Sequence, residues 1–227
     1  MTDNIVNKND FIEIRYTGKA NGIVFDSNIE EDLKKLDLKV KPRKIIIIVG
    51  QEMTIKGLDN AIENKEVGKE YEITLKPKDA FGERDRNLIK TIPLNEFTQQ
   101  NFNPKPGMVL TLDNMLVKII AVSGARVVTD FNNPLAGKEI HYKFIIIRKV
   151  TEEKEKAEAL LEYFFKFIPE FKIEKDKIIL KGPRGLEKLI KTHAKKFKEL
   201  LGKEIILEEK SQASELEKKL GQKNTEN

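Results

Sequence analysis

The sequence predicts an α+β protein built from more than one unit. Three observations carry this. The 227 residues exceed one average domain, and 39% hydrophobic beside 35% charged residues leave apolar material for a core under a densely charged surface. Up to about Val150 the chain is a series of short β-rich runs broken by Gly, Pro, Asn and Asp. Beyond Val150 the apolar residues recur at three- and four-residue spacing, the helical period.

The elements follow in order. Phe11 to Tyr16 alternates apolar and polar, the signature of a half-buried strand. Lys44 to Val49 is almost wholly β-branched and suits a strand covered on both faces or lining a pocket. Leu58 to Ile62 reads as a short helical turn, closed by Glu66-Val67-Gly68, before strands at Glu70 to Lys76 and Lys143 to Val150. Four further runs lie between those last two: Leu88 to Ile92, Met108 to Leu112, Leu116 to Val122 and Arg126 to Thr129. Turn signals at Asn103-Pro104, Pro106-Gly107 and Ser123-Gly124 separate them, beside a Phe-bearing segment from Pro93 to Phe102.

After Val150 a helix starts at Thr151, with Glu152 and Glu153 in its first turn, and is expected to stop at Pro169. A strand-like segment from Phe171 to Leu180 follows, then a helix from Gly185 to Leu201 and a strand from Glu204 to Leu207. The segment 151–227 holds 18 basic and 16 acidic residues, yet its clear apolar periodicity favours a small α/β domain over a disordered tail. From about Ser211 a solvent-exposed helix is expected.

Composition excludes several chemistries. There is no cysteine and only two histidines, His141 and His193, so disulfides, thiol nucleophiles and Cys-based zinc sites are out, and no metal or cofactor is expected. The net charge of +5 is a small remainder of 42 basic and 37 acidic residues, too interspersed for specific nucleic-acid binding. No window approaches the ~20 apolar residues of a membrane span, and the opening MTDNIVNKND lacks a signal peptide's apolar centre. No membrane partner and a cytoplasmic location are therefore expected. Heavy use of Ile, Lys and Glu suits a heat-adapted protein. There is no phosphate loop or nucleophile elbow, and residues 82–87, GERDRN, read as a charged turn.

The informative feature is an ordered set of short motifs: Tyr16-Thr17-Gly18; Phe25-Asp26-Ser27; Ile55 to Ile62 (IKGLDNAI); Val67-Gly68; Lys76 to Gly82 (KPKDAFG); and Asp130 to Lys138 (DFNNPLAGK). Together they resemble an FKBP-type peptidyl-prolyl isomerase over residues 8–150. The resemblance implies an antiparallel β-sheet wrapped on a short helix. It implies a pocket walled by Tyr16, Phe25, Ile45, Ile47, Thr54, Ile55, Leu58, Phe81 and Tyr142, with Asp26 orienting the polar edge and the Ile55 N–H holding a substrate carbonyl. Leu58 stands where single-domain members carry a floor Trp, and Phe81 where Tyr is frequent, so weaker macrolide binding is expected.

The long stretch from Gly82 to Asn132 resembles the SlyD-like form, in which a small β-rich domain is inserted in the flap, here in a chain of archaeal type. No His- or Cys-rich tail follows, so nickel handling does not carry over. The implied division is 1–84 with 131–150 as isomerase domain, 85–130 as insert and 151–227 as C-terminal α/β domain. In the insert, Leu88, Ile92, Phe97, Phe102, Met108, Met115 and Leu116 exceed what so small a unit can bury, so part of them is expected to bind clients. The expected partners are unfolded or nascent chains containing Xaa-Pro, whose isomerisation the protein accelerates; the alternative is a holdase chaperone whose pocket hardly catalyses. Phe164, Phe165, Phe167 and Phe171 exceed one helix face, which suggests a homodimer through 151–227 or a second client surface.

Overall fold

The structure, a computed structural model, describes residues 4–36, 42–112 and 114–209. The described residues form a mixed α+β structure with three sheets. The first elements are β1 (Phe11–Ala20), β2 (Ile23–Ser27), α1 (Glu30–Leu33), β3 (Ile45–Ile48), α2 (Lys56–Ile62) and β4 (Glu70–Leu75). Then come β5 (Ile89–Pro93), α3 (Leu94–Thr98), β6 (Val109–Leu112), β7 (Met115–Ser123), β8 (Arg126–Asp130) and β9 (Ile140–Lys149). The chain finishes with α4 (Glu153–Phe165), β10 (Glu170–Ile173), β11 (Lys177–Gly182), α5 (Leu186–Leu201) and β12 (Glu204–Glu209).

The first sheet is antiparallel, in the order β2-β1-β9-β4. Strand β1 is long enough to pair β3 through Phe11–Ile14 and β2 through Thr17–Ala20 on the same edge. The period-two reading of Phe11 to Tyr16 thus covered only the first part of this strand. Strand β9 lies in the middle of the sheet, between β1 and β4, although the whole second sheet precedes it in the chain. Helix α2 closes one face, burying Leu58 and Ile62. Its Gly57 is needed for close approach: a Cβ there would sit 2.5 Å from the Asp79 carbonyl and 2.7 Å from Leu75 Cδ2.

Strand β3 is covered on both faces. Ile45 and Ile47 face the core that contains Ile12, Ile14, Leu58, Ile62, Phe144 and Ile146. Ile46 and Ile48 face a second core with Phe11, Val150, Leu160, Leu161, Phe165 and Phe197. Because side chains alternate along a strand, four consecutive isoleucines serve two cores at once. An ion network ties the same seam: Arg148 donates to both Glu155 oxygens at 2.8 and 2.9 Å and to Glu13 at 2.9 Å, and Lys44 pairs with Glu155.

The second sheet is antiparallel with order β5-β8-β7-β6. Its buried centre, among the described residues, is Phe97 of α3 with Ile119 and Val127. The third sheet has order β10-β11-β12, with β11 and β12 parallel and joined by α5.

Two expectations for this region are corrected. Helix α4 stops at Phe165, not at Pro169, because Lys166 adopts a left-handed conformation (φ 66°) and caps the helix with its N–H on the Glu162 carbonyl. The segment from Phe171 to Leu180 is a hairpin of two strands, turned at Glu174–Asp176, where charge replaces apolar alternation. The four-Phe argument also shrinks. Phe165 is buried, Phe164 stacks on His193 at 4.4 Å and Phe171 packs on the same core, which leaves Phe167, 47% exposed. The helix expected from Ser211 lies outside the described residues.

Candidate functional site

The site is built where β1, β2 and β9 meet the loops around α2 and after β4. Register sets it: Gly18 lies opposite Asp26 on one side and Tyr142 on the other. Without a side chain at Gly18 the rings of Phe25 and Tyr142 can close over the strand, since a Cβ would lie 2.8 Å from each. Phe25 meets Tyr142 edge-on at 6.0 Å and Phe81 at 5.6 Å, and Tyr16 meets Tyr142 at 6.0 Å. These edge-to-face arrangements are the ones ring quadrupoles favour.

Each residue expected from the sequence has a definite place. Tyr16, Phe25, Ile45, Ile55 and Phe81 are half-buried around the first core. Ile47, Leu58 and Tyr142 belong to that core itself, and Leu58 is only 1% exposed. Leu58 therefore supports the site from beneath and presents almost no surface. Thr54 is half-buried in the loop before α2, with its hydroxyl donating to the Ile55 carbonyl at 3.4 Å. Asp26 is exposed and accepts the Tyr16 hydroxyl at 3.0 Å. Burial, with the Asp26 carboxylate nearby, pushes the Tyr16 and Tyr142 phenols well above the ordinary tyrosine range. Both stay protonated, so the Tyr16 hydroxyl keeps its proton for Asp26.

Sequence reasoning passed over the groups that shape the loop to Ile55. Asp59 of α2 is buried, and its carboxylate accepts the N–H groups of Gly50 at 3.0 Å and Glu52 at 2.8 Å. Glu52 itself has φ 54°, a conformation uncommon outside glycine. Met53 packs on both cores, and the Tyr163 hydroxyl of α4 donates to the Glu52 carbonyl at 3.3 Å. The signal for Asp59 was present in the IKGLD motif; its partners, backbone amides, carry no sequence signal.

The seven apolar residues expected to bind in the insert divide. Phe97 is buried, and Ile92 and Phe102 pack on it. Leu88, Met108, Met115 and Leu116 are exposed, together with Ile89, Val109 and Ile120, which sequence reasoning did not name. A cavity of about 600 Å³ beside the sheet is lined by Ile92, Phe97, Phe102, Leu110, Leu112 and Phe131. Among the described residues no group of three or more His, Asp and Glu side chains is placed to hold a metal ion, and no helix is long and apolar enough to cross a membrane.

Comparison with known proteins now bears on this geometry. Residues 2–97 match the family model described as FKBP-type peptidyl-prolyl cis-trans isomerase, and residues 90–135 match the one described as FKBP26, IF domain. The short-type peptidyl-prolyl cis-trans isomerase of Methanocaldococcus jannaschii is 35% identical over 142 residues, which cover 61% of this chain and 90% of that protein. The FKBP-type isomerase SlyD of Helicobacter pylori is 28% identical over 149 residues, or 63% of this chain and 72% of the relative. SlyD of Escherichia coli K12 is 32% identical over 111 residues, 46% of this chain and 56% of that protein.

Proposed function

The chain belongs to the FKBP-type peptidyl-prolyl cis-trans isomerases, and from that premise we propose that it is a folding helper that holds unfolded or nascent chains on its insert while the ring-lined site turns over their Xaa-Pro bonds. The proposed division is 1–84 with 131–150 for isomerisation, 85–130 for client binding and 151–227 as a C-terminal domain, in a cytoplasmic protein. Pairing of two copies through 151–227 rests chiefly on exposed Phe167 and Ile168.

The chemistry needs no cofactor. Rotation about the Xaa-Pro amide faces a barrier of ~18–20 kcal/mol because the twisted amide loses its resonance. The planar amide is more polar than the twisted one, so an apolar site disfavours the ground state more than the transition state. A thousandfold acceleration requires only ~4 kcal/mol. In this reading Tyr16, Phe25, Ile45, Ile55, Phe81 and Tyr142 supply the apolar wall, with Ile47 and Leu58 holding it from below. Thr54 shapes the approach, and the Ile55 N–H receives the substrate carbonyl. Asp26 fixes the Tyr16 hydroxyl at the polar rim. The exposed insert residues Leu88, Met108, Met115 and Leu116 hold the client near the site.

The observation that carries the proposal is the run of ring contacts from Tyr16 through Tyr142 and Phe25 to Phe81, with Gly18 making room for Phe25 and Tyr142. Its test is a proline-limited refolding assay run beside tetrapeptide isomerisation, with intact protein and with 85–130 deleted. The proposal expects both activities from intact protein, and loss of refolding activity alone after deletion. Suppressed aggregation without any acceleration would establish the holdase alternative, which the exposed apolar side of the insert favours.

A further inference from the structure

Two stretches of chain join the insert to the isomerase sheet, one leaving through Gly82–Leu88 and one returning through Asp130–Gly137. They do not run as independent linkers. The Gly137 N–H donates to the Gly82 carbonyl at 2.8 Å, and the Phe131 N–H to the Leu88 carbonyl at 2.9 Å. Between these rungs the Asn132 side chain imitates a strand: its Oδ1 accepts the Asp85 N–H at 2.8 Å and its Nδ2 donates to the Asp85 carbonyl at 3.0 Å. The next pair, Ile89 with Asp130, already belongs to the β5–β8 ladder.

Asp130 locks the ribbon from inside. It is 5% exposed; its Oδ1 accepts the Asn132 backbone N–H at 2.9 Å and side-chain Nδ2 at 2.7 Å, and its Oδ2 accepts the half-exposed Arg84 guanidinium. Burial opposes ionisation of this carboxyl, but the bonds from Asn132 and Arg84 outweigh it and hold it below the usual carboxylate range. With its guanidinium half exposed, the pair adds little stability, but together with the Asn132 bonds it ties Arg84 of the outgoing stretch to Asp130 and Asn132 of the returning one. Both ends of the ribbon are anchored: Phe81, a wall of the site, precedes Gly82, Leu135 packs on the isomerase core, and β5 and β8 are paired strands of the insert.

We propose that Asn132, Asp130 and Arg84 form a polar staple that holds the insert at one orientation to the isomerase site, and so act as positioning residues for catalysis on protein clients. This deepens the functional reading above and rests on it. A client held at a fixed span meets the site at a high effective concentration, which falls when the tether loosens.

The test uses full-length protein carrying Asn132→Ala or the milder Arg84→Met. Tetrapeptide kcat/KM should stay within about twofold while kcat/KM for refolding of a proline-limited protein client falls roughly tenfold. The chain has no cysteine, so dyes on Ser123→Cys and Glu63→Cys report the insert-to-body distance, whose distribution should broaden in each variant. Parallel loss on both substrates, or unchanged client refolding despite a broadened distance, overturns the staple. Intact protein that refolds clients no better than it turns over tetrapeptides overturns the functional reading beneath it.

Discussion

The five-stranded and four-stranded sheets share antiparallel pairing but treat their apolar residues differently. In the first, Ile12, Ile14, Leu58, Ile62, Phe144 and Ile146 are fully enclosed, and β3 is covered on both faces. In the second, Phe97, Ile119 and Val127 are enclosed, while Val109, Leu116 and Met115 remain 58, 56 and 48% exposed. A small unit has too little interior for its apolar side chains, and the surplus stays at the surface. The sheet that frames the rings thus encloses the larger core, and the other leaves the exposed apolar face on which the proposed client binding rests.

Removing the centre of each sheet should sharpen this contrast most. Phe144→Ala empties a site where the ring stacks on Tyr71 at 5.5 Å; it should cost about 3–5 kcal/mol in urea denaturation and abolish tetrapeptide turnover. Phe97→Ala should cost about 3 kcal/mol but only within the insert. Amide exchange should rise across residues 89–130 while tetrapeptide kcat/KM stays unchanged; a loss of tetrapeptide activity would break the comparison.

Smaller effects are expected at the rim and the seam. Asp26→Ala removes the acceptor of the Tyr16 hydroxyl and should lower tetrapeptide kcat/KM about tenfold, equivalent to ~1.4 kcal/mol, with little change in thermal stability. At the seam, hydrogen bonds from Arg148, then Lys44, lower the Glu155 carboxyl from 4.5 to about 2. A carboxyl depressed in the folded state stabilises above its ordinary value and loses that contribution as pH falls through the folded one. A pH titration of unfolding should therefore show a small loss of stability from this group between pH 4.5 and about 2, and Glu155→Gln should remove that part of the dependence. The smallest effect on stability belongs to the exposed insert face. Met115→Ser with Leu116→Ser should shift unfolding by no more than ~0.5 kcal/mol while reducing suppression of client aggregation. A large stability loss would mean that this face is packed, not adhesive.

Much of the fold was legible because it follows local rules. Alternation in Phe11 to Tyr16 marks β1, the β-branched run marks β3, and helical spacing marks α4 and α5. Local rules also misled where a tertiary partner overrode them. Pro169 looked like the helix stop, but the turn at Lys166 comes earlier and sends Phe171 into a strand. The four clustered Phe looked like surplus surface because α5, which takes up Phe164 and Phe165 against His193 and Phe197, lies further down the chain.

The sequence by itself determined the reaction family, since that depends on residue type and motif order alone, and the resemblance it carries named Tyr16, Phe25, Phe81 and Tyr142, whose rings the fold brings into contact. Only the tertiary structure decided that β9 sits between β1 and β4, that consecutive isoleucines of β3 serve two cores, and that Asn132 clasps Asp85 across the two connecting stretches. Each of these joins groups distant in sequence, often through backbone atoms that every residue carries. The pairings are chosen by which packing closes over the whole chain, and residue type leaves no local mark of that choice.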